Sequence, residues 1–149
     1  FIAMIESVRD IMIKDLLTIS EDETALKAAQ IMTEKGVSSL IVLADDQPIG
    51  IVTERDFIKK ICVKELKVSS VRVGDMMSRI RTSASPDTPI DVAVQRMVNN
   101  RIRRLPIIEN GKVVGIITVT DLAKHLRTIL LLNNTLSSSL LSQSNVENY

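Results

Sequence analysis

The chain is written twice. Shifted by sixty-five positions against itself, it places Val8 on Val73, Asp10 on Asp75, Met12 on Met77, Ser20 on Ser85 and Asp22 on Asp87. The match continues through Ala28 on Ala93, Gln30 on Gln95, Met32 on Met97 and Leu40 on Leu105. It ends with Gly50, Thr53 and Asp56 on Gly115, Thr118 and Asp121, and no gap is needed between Val8 and Phe57. A gapless register through several kinds of element speaks against chance likeness, and an internal repeat limits the possible folds more than any other feature.

The sharpest repeated stretch is Gly50-Ile51-Val52-Thr53-Glu54-Arg55-Asp56, matched by Gly115-Ile116-Ile117-Thr118-Val119-Thr120-Asp121. Each copy reads as a buried β-branched strand running straight into a helix. Thr followed three residues later by Asp has the form of a capping box, with Asp in place of Glu. A helix start leaves backbone N–H groups and a positive dipole end where an anion can sit, so two such ends suggest two related sites.

Each half holds about fifty residues, too few to bury a sufficient core alone, so the expectation is an intertwined pair with a shared core. Hydrophobic residues make up 45% and charged residues 25%, as in ordinary globular proteins. A net charge of +1 gives no argument for nucleic acid or a membrane surface. Aromatic content is 2%, confined to Phe1, Phe57 and Tyr149, so stacking platforms for single-stranded nucleic acid are missing. The lone Cys62 cannot form an internal disulfide and fits a reducing cytoplasm. The missing initiator Met suggests a trimmed chain; no signal-peptide pattern or apolar run of membrane-spanning length is present, and membrane insertion is not expected.

Read in order, Val8 to Met12 predicts a short helical turn and Leu16 to Ile19 an extended piece. Asp22 is expected to cap a helix with Ala25, Ala28, Ala29 and Met32 on one face, and Gly36 to end it. Leu40 to Leu43 reads as a buried strand, Asp45 to Pro48 as a turn, Ile49 to Val52 as the returning strand and Glu54 to about Val63 as a helix. The second half repeats this order. Asp87-Thr88-Pro89 opens a helix lined by Ile90, Ala93, Val94 and Met97; Pro106 implies an edge or first position in its strand; Asn110-Gly111 makes the hairpin turn. The predicted division is a first repeat over 8–64, a connector over 65–72, a second repeat over 73–132 and a polar, flexible tail over 133–149. The last helix is expected from about Thr120 to Leu132. Its Ile129 to Leu132 run suits either a partner contact or packing on the chain's own first half.

A tandem strand-helix-strand-strand-helix repeat, each copy ending in Gly-apolar-apolar-Thr-x-x-Asp, resembles the CBS-domain pair, or Bateman module. Asp10-Ile11-Met12, Asp75-Met76-Met77 and Arg103-Arg104-Leu105-Pro106-Ile107-Ile108 add to the likeness, which runs from Val8 to about Leu126. The resemblance implies an α/β (α+β) fold of two intertwined β-α-β-β-α repeats related by pseudo-two-fold symmetry. It also implies a cytoplasmic, homodimeric, non-catalytic module that binds AMP, ADP, ATP or S-adenosylmethionine between its halves, needs no cofactor and signals to an unidentified regulated protein. On that reading Asp56 and Asp121 accept hydrogen bonds from ribose hydroxyls, by the logic of the acidic residue in dinucleotide-binding folds. Thr53 and Thr118 meet phosphate at helix starts, Arg103 and Arg104 reach phosphate oxygens, and Val37 and Ile102 offer aliphatic and backbone contacts to the base.

The same Thr and Asp residues also suit a purely structural role as caps, and the arginines suit solvated charge. A ligand-free dimerisation or scaffold module is the alternative function. Enzymatic activity is not expected: there is no metal-ligand cluster, no nucleophile beside a base and no Walker-type phosphate loop, and the single His125 reads as structural. The repeats are not equal, however. Ser38 and Ser39 stand where the second copy has Arg103 and Arg104, and Arg55 stands where it has Thr120, so the two clefts are expected to bind unequally.

Overall fold

The structure, a computed structural model, describes residues 7–144. In the first repeat the apolar run becomes β2 (Ser39–Ala44), after β1 (Thr18–Ser20) and α1 (Ala25–Lys35), and it turns back as β3 (Gln47–Thr53). In the second, α4 (Ile90–Asn100) precedes β5 (Arg104–Glu109) and β6 (Lys112–Thr118). Two short elements open the second repeat, α3 (Val73–Met76) and β4 (Ser78–Arg79). Short α2 (Glu54–Phe57) follows β3, and long α5 (Val119–Ser144) follows β6.

Local chemistry explains where these elements begin and end, and it corrects several expectations. The helix α1 is capped by Thr24, whose side chain accepts from the Lys27 N–H at 3.1 Å, and not by Asp22. Likewise Pro89 holds the N-cap position of α4 without a side-chain cap, and Asp87 plays no capping part. Both helices start later than expected, and Asp22 and Asp87 instead form exposed ion pairs with Arg72 and Arg9. Of the face expected for α4, Ala93 and Met97 are buried while Ile90 and Val94 are half-buried. Gly36 ends α1 with φ at 64°, as expected of a left-handed C-cap.

The first hairpin turns on two residues, not four. Asp45 and Asp46 take positive φ of 48° and 62°, and Gln47 and Pro48 already belong to β3, whose pairing with β2 shifts register between Val42 and Leu43 of β2. Asp tolerates this left-handed conformation better than most residues. Asn110 and Gly111 make the equivalent turn in the second repeat.

The opening segment of each repeat is lodged in the other. Val8 N–H donates to Thr88 O at 3.0 Å and Val73 N–H to Glu23 O at 2.8 Å, in matching positions of the duplication. Ile13 bridges Ile116 antiparallel, while β4 pairs antiparallel with β3, Arg79 opposite Gly50 and Ser78 opposite Ile51. Met77 lies over Gly50 and Met12 over Gly115: an added Cβ would stand 2.4 Å and 2.5 Å from the respective sulfurs. The two cores are consequently mixed. Val73, Met76 and Met77 pack with Ile19, Met32, Leu40 and Val52. Val8, with Ile11 and Met12 beside it, packs with Met97, Leu105 and Ile117. Ile41, Ile51 and Ile116 form a third cluster. This is the intertwined pair that the size of each half demands.

The first sheet has four strands and the second two, because the counterparts of β1 and β4 are reduced to single bridges. β1 pairs parallel with β2, helped by Ile41 N–H donating to Leu17 O at 3.0 Å. The residue matching Ile41 is Pro106, which has no N–H, so the equivalent pairing in the second repeat shrinks to a single bridge between Ala84 and Ile107. Pro106 thereby sits on the outer side of β5, as its chemistry requires.

The helices also depart from expectation. The stretch after Asp56 is not one α-helix: α2 passes into a π turn over Ile58–Cys62, with Val63 N–H reaching Ile58 O at 3.0 Å. The last helix begins at Val119, beside the expected start, but does not end at Leu132: it runs to Ser144, so residues 133–144 of the expected flexible tail are helical. Residues 145–149 lie outside the described part. Ile129, Leu130, Leu131 and Leu132 are 40%, 54%, 56% and 39% exposed and join none of the apolar clusters among the described residues, so the expected packing on the first half is not seen there.

Candidate functional site

Thr53 and Thr118 sit where a strand becomes a helix, and both capping boxes form. Thr118 N–H and Oγ1 donate to Asp121 Oδ2 at 2.9 and 2.8 Å. Thr53 makes the same bonds to Asp56 Oδ2 at 2.8 and 3.3 Å. In both copies, therefore, one carboxylate oxygen is occupied by its own helix start.

The second oxygen separates the two copies. Asp56 is 6% exposed, and its Oδ1 receives Ser78 Oγ at 3.2 Å and pairs with Lys60 Nζ at 3.1 Å. Lys60 is held in turn by the carbonyls of Met76 at 2.7 Å and Met77 at 3.1 Å. Asp56 is thus a buried, fully engaged carboxylate. Asp121 is half-buried, and its Oδ1 has no hydrogen bond among the described residues. The residues that match Lys60 and Ser78 are His125 and Ile13.

Two clefts occupy equivalent places between the halves. The larger, about 380 Å³, is walled by aliphatic Ile13, Leu16 and Val37 and edged by Ser38, Thr118 and Asp121. The smaller, about 170 Å³, is lined by Ile51, Thr53, Ile80, Ile102, Arg103 and Arg104 among others, and Asp56 does not line it. Between them runs a polar groove of about 280 Å³ where the starts of α2 and α5 converge, bringing Arg55, Arg103 and Arg104 beside Ser38, Thr53 and Thr118. Arg104 borders all three spaces and donates to Ser38 Oγ at 3.4 Å, so it leans across to the first repeat.

The residues singled out in the sequence are therefore gathered, but not equally. Asp121, Thr118, Val37, Ser38 and Arg104 share the larger cleft; Ile102, Thr53 and Arg103 border the smaller; Arg55 reaches only the groove; Asp56 faces none of them. Sequence reasoning missed Lys124, which edges the larger cleft one turn beyond Asp121. The i, i+3 spacing of the two was the available signal. Among the described residues no group of three or more His, Cys, Asp or Glu side chains is arranged to hold a metal, and no helix is long and apolar enough to cross a membrane.

Comparison with known proteins agrees with this architecture. The family model for the CBS domain matches residues 8–62 and again 73–128. An uncharacterized protein of Methanopyrus kandleri is 38% identical over 118 residues, covering 78% of this chain and 60% of that one. An inosine-5'-monophosphate dehydrogenase of Methanocaldococcus jannaschii is 33% identical over 118 residues, of which the chain covers 23% of the length. The chain thus spans less than two thirds of these relatives. Among solved structures, an uncharacterized conserved protein from Pyrococcus horikoshii superimposes with a TM-score of 0.74 at 31% identity, covering 85% of this chain and 96% of the other. A hexameric CBS-CP12 protein from bloom-forming cyanobacteria also gives 0.74, at 29% identity, over 81% of this chain and 68% of that one.

Proposed function

This chain belongs to the CBS-domain family, with two copies in tandem, and from that premise we propose that it is a non-catalytic regulatory module that binds one adenine ribonucleotide in the cleft beside Asp121. The observation that carries the proposal is Asp121 Oδ1, which no described residue hydrogen-bonds, at the edge of the larger cleft and opposite an aliphatic wall. A carboxylate with a free oxygen accepts hydrogen bonds from ribose hydroxyls; Ile13, Leu16 and Val37 cover a base in the absence of aromatic side chains; the groove with Arg55, Arg103 and Arg104 takes phosphate. Ligand bound between the halves favours one relative arrangement of the repeats, and an attached or separate partner reads that preference as a population shift.

A second reading, a ligand-free scaffold, draws on the first repeat: Asp56 shows that the Thr-x-x-Asp motif can be wholly structural here. The two readings separate in one titration series. AMP, ADP, ATP, S-adenosylmethionine and GTP are titrated calorimetrically against the protein, its Asp121→Asn variant and its Asp56→Asn variant. The expected result is one site per chain for an adenine ribonucleotide and none for GTP. Asp121→Asn should weaken binding about 10- to 100-fold, as the loss of charge-assisted hydrogen bonds worth about 1.5–3 kcal/mol implies. Asp56→Asn should leave affinity unchanged. Absence of binding by every nucleotide, with protein free of co-purified ligand, favours the scaffold.

A further inference from the structure

The helix α5 continues to Ser144, well past the second family match at residue 128. Beyond Leu122, which packs on the second core, its described apolar side chains lie open: Leu126 is 56% exposed and Ile129 40%. Ser, Thr and Asn crowd residues 133–139, and these are weaker helix formers than Ala, Leu or Lys. A helical extension of this length is marginal in water without tertiary packing. The extension therefore calls for a covering surface that the described residues of the chain do not supply.

Sequence spacing says what covers it. Leu122, Leu126, Ile129, Asn133, Leu136 and Leu140 follow one another at intervals of four, three, four, three and four. That is the 3.5-residue repeat of a coiled-coil seam, in which Leu126, Asn133 and Leu140 hold one core position and Leu122, Ile129 and Leu136 the other. We propose that α5 pairs in parallel with α5 of a second copy of this chain, in register at Asn133.

Two further observations choose the occupant. From Thr128 to Ser144 the helix carries no charged residue, and Lys124 and Arg127, the nearest charges, fall on the outer positions of the repeat. Two copies can thus approach along the seam without like-charge repulsion. An oppositely charged partner or an anionic bilayer would find no basic face on this extension to attract it. Asn133 sets the direction. In a parallel pair it meets its own copy and the two amides hydrogen-bond; reversed, it faces an apolar position and leaves a buried amide unsatisfied. Leu130 and Leu132 flank the seam and widen it, whereas Leu131 falls on its outer face.

The free seam is just over two heptads, about 22 Å of helix, and covers less than a standard interface of ~800 Å² per partner. Pairing should accordingly depend on concentration. Sedimentation equilibrium of the full chain between about 1 and 200 μM is expected to show reversible self-association, and Leu126→Glu with Ile129→Glu to abolish it while the cooperative melt of the domain persists. Asn133→Leu should tighten association at least tenfold and relax its stoichiometry. In a Cys62→Ser background, Asn133→Cys should cross-link through a disulfide on mild oxidation, since only a parallel, in-register pair brings that position onto itself. A chain that stays monomeric at 200 μM, a dimer indifferent to the two glutamates, vesicle binding abolished by those glutamates without self-association, or an Asn133→Cys variant that associates without cross-linking would each overturn the proposal.

Discussion

Two aspartates that look identical in sequence have different work, and the difference lies in residues around the motif. Asp56 has Lys60 one turn on and Ser78 supplied by the opposite opening segment; Asp121 has His125 and Ile13 in those places. The motif was legible in the sequence, as were the capping boxes, but the partners were not, because Ser78 reaches Asp56 only through the crossed chain path. Lys60→Met is expected to strand a buried carboxylate and to lower stability by about 1–3 kcal/mol, less than the cost of breaking a fully buried pair because Lys60 retains 34% exposure. Chemical denaturation measures it. The matching change His125→Met should alter stability by under about 0.5 kcal/mol, as changes away from such networks do. Equal losses from both would mean that the asymmetry of the two copies is not energetic.

At the scale of elements, the strands, their hairpins and the helix α1 up to Gly36 follow from apolar runs and turn chemistry. What the sequence left hidden came from partners distant in the chain: Asp22 and Asp87 pair with Arg72 and Arg9, while Thr24 and Pro89 take the cap positions. Pro106 shortens a strand through an N–H it lacks, and the tail of α5 is helical despite its Ser- and Asn-rich composition. The Gly-apolar-apolar motif also gains a reason. Gly50 and Gly115 are small so that a methionine of the other repeat can lie directly over the strand. Gly50→Ala and Gly115→Ala should each cost about 1–3 kcal/mol through overpacking. Their rescue should differ. Around Gly115 the three nearest atoms all belong to Met12, so Met12→Ala should recover part of the loss. At Gly50 the Ser78 carbonyl oxygen stands 2.9 Å from the added carbon, and Met77→Ala should recover little. Thermal melts of the four variants decide it.

For the whole molecule, the crossed opening segments make one folding unit of two repeats. The first core is incomplete without Val73, Met76 and Met77, and the second without Val8. Calorimetric and van't Hoff enthalpies of unfolding should therefore agree, giving a single transition. A chain cut between Glu65 and Leu66 in the connector should yield fragments that are unfolded apart and regain the native spectrum when mixed. Two separate transitions, or a fragment with its own cooperative melt, would contradict this.

The crossing has a consequence for what a lone repeat could be. Its opening segment would have no berth on its own body and would find one only on a sister molecule, which would return the exchange: a swapped dimer. Joining two such molecules end to end would alter none of those contacts. It would only replace the concentration of a sister in solution by the far higher local concentration that a short tether provides. The connector at 65–72 is, in that light, a permanent introduction between two halves that would otherwise have to meet by diffusion.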